Sequence, residues 1–196
     1  AHQYMFLHPE FEFPELNKIS LASLKFFTKV TAIGSRKKLA LSFRKMREVP
    51  RKGIVVVPPL LRNEVIEAKV AQGDYLHGYI LNSGFSEEVK AWHTTHPQVC
   101  MHFFWDKKGA PQTVEIDEKL CFHQLDDAKF VQYMAGAKAY ATTAGFESVC
   151  EAMYLNKPVL MVLTHSEQVC NAHDAMISGA GVANSTFDLD ELLTLS

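Results

Sequence analysis

The chain has 196 residues, of which 47% are hydrophobic and 21% are charged, and its formal net charge is −2. These values are typical of a globular protein and exclude wholesale disorder, and no apolar run reaches the roughly 18 residues that a membrane-spanning helix needs. Four cysteines without a CxxC pair, together with the lack of a visible signal peptide, predict a cytoplasmic protein with reduced thiols.

The charges are unevenly distributed along the chain. Residues 1–52 carry a balance of +7, whereas residues 53–196 carry −9. Such an asymmetry favours two structural units or a basic face that attracts an anionic surface. The basic segment 25–52 is most simply a solvated connection, and the alternative is a peripheral contact with a membrane surface. Nucleic acid is not expected as a partner, because the segment lacks the aromatic interleaving of a stacking platform.

The predicted elements become regular only after the first quarter of the chain. Residues 1–50 are predicted to be mostly irregular, with a helical spacing of apolar residues in 19–33. From residue 53, short apolar runs that are typical of strands alternate with helical patterns. The predicted strands are 53–57, 76–81, 99–105, 119–122, 139–142 and 159–163, and the predicted helices begin at residues 86, 126, 145, 167 and 188. This alternation predicts an α/β fold with a Rossmann-like, doubly wound parallel sheet.

Ligands of a doubly wound sheet bind beyond the carboxyl ends of its strands, where this chain has strand-to-helix junctions at 82–84, 142–145 and 164–168. At the second junction, two threonines and a glycine precede a helix, whose first N–H groups attract phosphate. Glu151 lies one to two turns into that helix and is well placed for a ribose diol. The simpler alternatives are helix capping by the threonines and a solvent-facing carboxylate at Glu151.

The third junction places acceptors and donors of hydrogen bonds at another helix start. Glu167 contributes a carboxylate, and Gln168 contributes both an acceptor and two amide donors, which suits sugar hydroxyl groups. The simpler alternative is capping of the helix by Ser166, with Glu167 as a first-turn acid.

A zinc site is a competing hypothesis for the segment 93–102. His93, His96, Cys100 and His102 are residue types that bind zinc, but Pro97 and the change from helix to strand scatter their directions. Surface and core histidines are the simpler interpretation, and we expect no metal site.

The second half of the chain resembles the nucleotide-sugar motif of GT-B glycosyltransferases. The likeness is carried by residues 143–152 and 157–162, by Glu167-Gln168 and by Asn171-Ala172. It is greatest to the UDP-glycosyltransferase group and extends to the bacterial enzyme that adds N-acetylglucosamine to a lipid-linked peptidoglycan precursor. The resemblance implies that residues 53–196 are the C-terminal, nucleotide-sugar-binding half of a GT-B fold, and that residues 1–52 are the tail of an N-terminal acceptor domain with its linker.

The resemblance also implies a binding role for each set of junction residues. By role these are Thr143, Gly145, Ser148, Ser83 and Gly84 for the diphosphate, Glu151 for the ribose, Glu167 and Gln168 for the donor sugar, and His123, Gln124 and Leu125 for the base. The chain departs from the plant-type motif in two places, with Thr143 where the motif has His and Glu147 where it has Asn. The carboxylate of Glu147 adds negative charge beside the expected diphosphate.

The activity implied by the resemblance is transfer of a hexosyl group, with inversion, from a nucleotide-diphosphate sugar to an acceptor hydroxyl. A UDP-sugar is the expected donor, and the acceptor is expected to be lipid-linked or a saccharide. Neither a metal nor a cofactor is implied, and the catalytic base is expected outside this chain, so that the chain alone would bind nucleotide weakly without turnover. A non-hydrolysing sugar-nucleotide epimerase and a non-catalytic binding module are the alternatives.

Overall fold

The computed structural model describes residues 1–143 and 145–196. Its centre is a seven-stranded sheet, whose strands in chain order are β3 Leu76–Ile80, β4 Met101–Trp105, β5 Thr113–Glu115, β6 Leu120–Gln124, β7 Ala139–Thr142, β8 Val159–Val162 and β9 Gly181–Asn184. Their order in the sheet is β5-β6-β4-β3-β7-β8-β9. All neighbours in this sheet are parallel except β5, which pairs antiparallel with β6.

Helices cover both faces of this sheet. The longer ones that follow its strands are α3 Ser86–Thr95, α4 Asp127–Gly136, α5 Phe146–Tyr154 and α6 Ser166–Ile177, and the chain ends with α7 Asp190–Leu195. One core cluster joins α4, α5 and α6 to strand residues such as Phe104 and Tyr140. A second cluster joins α3 and α7 to strand residues of the opposite face, such as Phe103 and Ala141. The predicted doubly wound α/β fold is therefore confirmed.

The buried strands are apolar throughout, as expected for a sheet that is covered on both faces. In β7 and β8 every residue is buried. Helix starts follow from local capping: the side chain of Asp126 accepts a hydrogen bond of 2.9 Å from the backbone N–H of Lys129 and so begins α4.

The N-terminal part is more regular than the sequence predicted. It contains a short 3₁₀ helix at His2–Leu7, then α1 Lys18–Thr31, β1 Lys38–Leu41, β2 Ile54–Val57 and the single turn α2 Asn63–Ile66. β1 and β2 form a separate parallel pair, so the strand predicted at 53–57 pairs with residues before position 52 and not with the main sheet. The division at residues 52 and 53 stays a prediction.

The N-terminal part packs against α6. A third core cluster brings Met5, Phe6 and Ile54 into contact with Cys170 of α6. Across the same boundary, the Arg44 guanidinium pairs with the buried carboxylate of Asp174. This packing places the first residues of the chain beside the carboxyl ends of β7 and β8. Among the described helices, none combines the length and the apolar character needed to cross a membrane.

Candidate functional site

The main cavity of the described chain lies where β7 and β8 lead into α5 and α6, and it has a volume of about 770 Å³. It brings together six of the residues that the sequence predicted as binding residues: Leu125, Gly145, Ser148, Glu151, Glu167 and Gln168. The opposite wall is formed by the start of the chain, by Leu41 and by the segment 60–62. Because parallel strands end at one edge of the sheet, residues from two separate junctions meet in this cavity.

The first turn of α5 lines the cavity, and backbone N–H groups at a helix start have no partner within the helix. Gly145 is the N-cap and has an extended backbone, with φ −70° and ψ 133°. Gly145 and Ser148 both line the cavity. A helix start of this kind favours an anion through its N–H groups and its partial positive charge. Thr143 is buried at the end of β7 and is not among the cavity-lining residues.

Glu151 is a buried carboxylate, with only 5% of its surface exposed. Its two oxygens accept hydrogen bonds of 2.7 Å from Nε and Nη2 of Arg62, in the two-pronged geometry of a strong pair. The hydrogen bond with Glu151 raises the pKa of the Arg62 guanidinium above its ordinary value. The alternative of a solvent-facing carboxylate at Glu151 is therefore wrong.

The first turns of α6 supply polar side chains from the third junction. Glu167 and Gln168 line the cavity, and the amide oxygen of Gln168 accepts a hydrogen bond of 3.1 Å from the backbone N–H of Thr164. Gln168 therefore also shapes the turn before α6. Asn171 lies on the same wall, and its buried amide oxygen has no hydrogen-bond partner among the described residues. A buried acceptor without a partner is ready to take a donor from a ligand.

His2 closes the cavity from the N-terminal side. Its ring stacks on Phe146 at 4.2 Å between centroids, and its Nδ1 lies 2.8 Å from the carbonyl oxygen of Leu41. Burial lowers the pKa of His2 to about 4, so the imidazole is neutral at pH 7. Since a carbonyl only accepts, the neutral ring donates from Nδ1 and carries its lone pair on Nε2.

The cavity carries more negative than positive formal charge. Among its described lining residues, the carboxylates are those of Asp127, Glu147, Glu151 and Glu167, whereas Arg62 is the only guanidinium or ammonium side chain. Arg62 lies between two of these acids, since its Nη1 is also 3.3 Å from Asp127. An anionic ligand at the start of α5 would therefore depend on backbone N–H groups rather than on free cationic side chains.

Comparison with known proteins shows the family of this chain. A family model described as glycosyl transferase family 1 matches residues 6–194. The chain belongs to this family. No match to a curated protein sequence was found.

Solved structures of similar fold are GT-B glycosyltransferases. The glycotransferase of kitacinnamycin is 16% identical, with a TM-score of 0.52 over 75% of this chain and 42% of its own. SnogD from Streptomyces nogalater is 12% identical, with a TM-score of 0.50 over 84% of this chain and 50% of its own. Spinosyn rhamnosyltransferase SpnG complexed with thymidine diphosphate is 13% identical, with a TM-score of 0.50 over 64% of this chain and 38% of its own. This family member thus spans at most half of these three structures.

The remaining predicted residues are not brought to the main cavity. His123 lines a second cavity of about 340 Å³ with Tyr75, Lys129 and Tyr133, and its Nε2 lies 3.1 Å from Nδ1 of His102. The amide of Gln124 donates to the carbonyl oxygens of Lys107 and Ala110, which fixes a loop.

Ser83 and Gly84 form a 3₁₀ turn after β3, where the Asn82 side chain accepts a hydrogen bond of 2.9 Å from the N–H of Gly84. They are not among the residues that line the main cavity. Their predicted diphosphate contact stays a prediction.

The four candidate zinc ligands do not converge. His93 pairs with Asp117 at 2.8 Å, and His96 stacks on Trp92. Across residues 1–143 and 145–196, no three His, Cys, Asp or Glu side chains are grouped so that they could hold a metal ion.

The residues of the cavity wall that the sequence did not predict as binding residues include His2, Arg62 and Asn171. Arg62 and Glu151 are 89 positions apart, and a single arginine after an apolar segment carries no spacing signal. Asn171 belongs to the motif of the family resemblance, which was the one available signal for it. His2 lies in the part of the chain that was predicted to be irregular.

Proposed function

We propose that this chain is the sugar-nucleotide-binding part of a glycosyltransferase that transfers a hexosyl group from a nucleotide-diphosphate sugar to an acceptor hydroxyl. The observation that carries the proposal is the common cavity of Gly145, Ser148, Glu151, Glu167 and Gln168. It joins a helix start suited to a diphosphate, a buried carboxylate suited to a diol and an acid–amide pair suited to a sugar.

In this proposal these residues bind the donor and stabilise the negative charge that forms on its leaving group. In sugar transfer the nucleoside diphosphate leaves as the bond to the sugar breaks, and negative charge grows on the phosphate oxygen. The N–H groups at the start of α5 and the hydroxyl of Ser148 would stabilise that charge in a site shaped beforehand. In this proposal the reaction needs neither a metal ion nor another cofactor, because the helix start takes over charge neutralisation.

UDP is the proposed nucleotide of the donor. The support is the resemblance of the α5 and α6 starts to the UDP-glycosyltransferase motif. SpnG, which has a similar fold, is described with thymidine diphosphate, so a thymidine nucleotide is the natural competitor in a binding experiment. Glu151 discriminates between the two if it binds both ribose hydroxyls, since the deoxyribose of thymidine nucleotides has only one of them.

None of the residues named above is proposed to bind the acceptor. The base that deprotonates the acceptor hydroxyl is proposed to come from the acceptor domain, beyond this chain. A lipid-linked acceptor would fit a peripheral contact of the basic segment 25–52 with an anionic membrane. What supports such a contact is α1, which exposes Ile19, Phe26 and Phe27 beside Lys18 and Lys29.

Calorimetry with UDP tests the nucleotide assignment. We expect Glu151→Ala to weaken UDP binding at least about tenfold, because two hydrogen bonds from the ribose to a buried carboxylate are lost. Glu118→Ala is the matched control, since it removes an exposed carboxylate that precedes β6 at the opposite edge of the sheet. Because Arg62 occupies the same oxygens in the parent chain, the comparison is repeated with Arg62→Met in both proteins, and equal UDP affinities there would overturn the ribose assignment.

A further inference from the structure

Arg62 holds both oxygens of the carboxylate that the proposed function gives to the ribose. The fork geometry, with Nε on Oε1 and Nη2 on Oε2 at 2.7 Å each, uses the outward hydrogen-bonding positions of Glu151. Because Glu151 is only 5% exposed with Arg62 in place, a sugar cannot reach these oxygens beside the guanidinium. Arg62 and a ribose diol therefore compete for the same acceptors.

The segment that carries Arg62 is anchored just beyond it, where Val65 of α2 is fully buried in the main core cluster. Arg62 is the N-cap residue of α2, a helix of only 4 residues, and it follows the cavity-lining Leu60, which is 79% exposed. The Arg62 side chain is about one third exposed. Rotation of the long Arg62 side chain about its own torsions can open the pair while α2 stays anchored through Val65.

Asp127 and Phe130 form a second position that the guanidinium can occupy when it leaves Glu151. The carboxylate of Asp127 is 3.3 Å from Nη1 and is almost fully exposed, and the ring of Phe130 lies 5.9 Å from the guanidinium carbon. Arg62 can therefore turn towards Asp127 and solvent without being left as an unpaired buried charge.

We propose that the Arg62–Glu151 pair is a latch that closes the ribose subsite of the nucleotide-free chain, so that a nucleoside diphosphate binds only to molecules in which the pair has opened. This inference rests on the proposed function, because it takes Glu151 as the ribose ligand. The apparent affinity is then the intrinsic affinity reduced by the open fraction of molecules. A chain that is open in about one molecule in ten would bind about tenfold more tightly once the latch is removed.

The test is a titration of uridine and of UDP into the parent chain and into Arg62→Met. Both ligands are expected to bind Arg62→Met about tenfold more tightly, because the latch blocks the ribose that they share. Lys69→Met is the matched control: it removes one positive charge from the exposed segment after α2 and is expected to change neither affinity. Arg62→Lys keeps a positive charge beside Glu151, so the buried carboxylate is not left unpaired, but lysine cannot make the two-pronged contact. It is expected to give a smaller increase in ligand affinity, of about threefold.

The outcomes separate the latch from the proposed function. If Arg62→Met weakens UDP binding and leaves uridine binding unchanged, Arg62 is a phosphate ligand, and the latch is contradicted while the nucleotide site stands. If both ligands bind the Arg62 variants and the parent equally well, the latch is again contradicted. If Glu151→Gln changes uridine affinity neither in the parent nor in the Arg62→Met background, or if no variant binds either ligand, the ribose assignment itself fails and the latch with it.

Discussion

Glu147 puts a negative charge in the first turn of α5, beside the proposed diphosphate. Its side chain is exposed and lines the cavity. Like charges at such a distance repel through solvent, and the repulsion is screened by salt. We expect Glu147→Gln to bind UDP about threefold more tightly at low salt, with the gain shrinking at high salt.

The experiment for Glu147 is a UDP titration at two ionic strengths. Glu118→Gln serves as its control, because that carboxylate lies at the other edge of the sheet. An affinity of Glu147→Gln that equals the parent value at low salt would show that the diphosphate does not lie over the first turn of α5.

The sequence predicts a residue of the cavity only where that residue follows the carboxyl end of a strand. Gly145, Ser148 and Glu167 lie in the cavity because they follow two adjacent parallel strands, which is a property of the fold. His123 and Gln124 also lie at a strand end, but their side chains point to opposite faces of β6 and are used by His102 and by a loop. The fork of Arg62 on Glu151 joins residues that are distant in sequence, and no local pattern indicates it.

Among the helices, α1 has an outward face that is unusually apolar. Ile19 is 83% exposed and Phe26 is 69% exposed, and Val30 continues the same face one turn further on. Lysines lie beside this face, and the surrounding N-terminal part has a strong positive balance. Apolar side chains bordered by lysines suit the interface of an anionic membrane.

The prediction for α1 is salt-sensitive binding to vesicles that contain phosphatidylserine, with much weaker binding to neutral phosphatidylcholine vesicles. Co-sedimentation is the measurement, and Phe26→Ser with Phe27→Ser is expected to abolish it by removing the inserted rings. Val70→Ser, at an exposed position outside α1, is the control. Equal sedimentation of the Phe26 and Phe27 variant and the parent would exclude α1 as the contact.

The regular helices and buried strands were predictable because their periodicity is strong, whereas the short edge elements were not. β8 and α6 lie within one residue of their predicted bounds, since a continuous apolar run and a helical stripe mark them. β5 has only 3 residues at the sheet edge, and no residue of β9 is fully buried, so neither carries a clear pattern. α1 was predicted only as a helical spacing because its apolar residues face outward as well as inward.

At the scale of the whole molecule, the buried His2 and His77 have lowered pKa values and therefore resist protonation in the folded chain. Burial, the largest cause, lowers the pKa of His77 to about 3, and the nearby His102 and His123 add to it. His77 packs on Tyr140 in the core beneath β3 and β7, and the pKa of His2 is lowered to about 4. An unfolded histidine titrates near ~6.5, so the unfolded chain takes up protons that the folded chain refuses. Stability is therefore full above about pH 6.5 and falls as the pH decreases towards 4.

His77→Phe tests this acid sensitivity. It is expected to reduce the slope of the unfolding free energy between pH 6 and 4 by about 1.4 kcal/mol per pH unit, which is the contribution of one proton. Urea unfolding at a series of pH values is the measurement. A slope equal to that of the parent would mean that His77 takes up a proton in the folded chain.

The ends of β7 and β8, the starts of α5 and α6, and the first residues of the chain meet at one cavity. The central claim is that a nucleoside diphosphate binds there, with its phosphates over the start of α5 and its ribose on Glu151. The most direct measurement is a crystal structure of this chain grown in saturating UDP. We expect density for the diphosphate at Gly145 and Ser148, with the Arg62–Glu151 pair open and the ribose on Glu151. UDP bound elsewhere, or a cavity in which Arg62 still holds Glu151 with no nucleotide present, would contradict this binding mode.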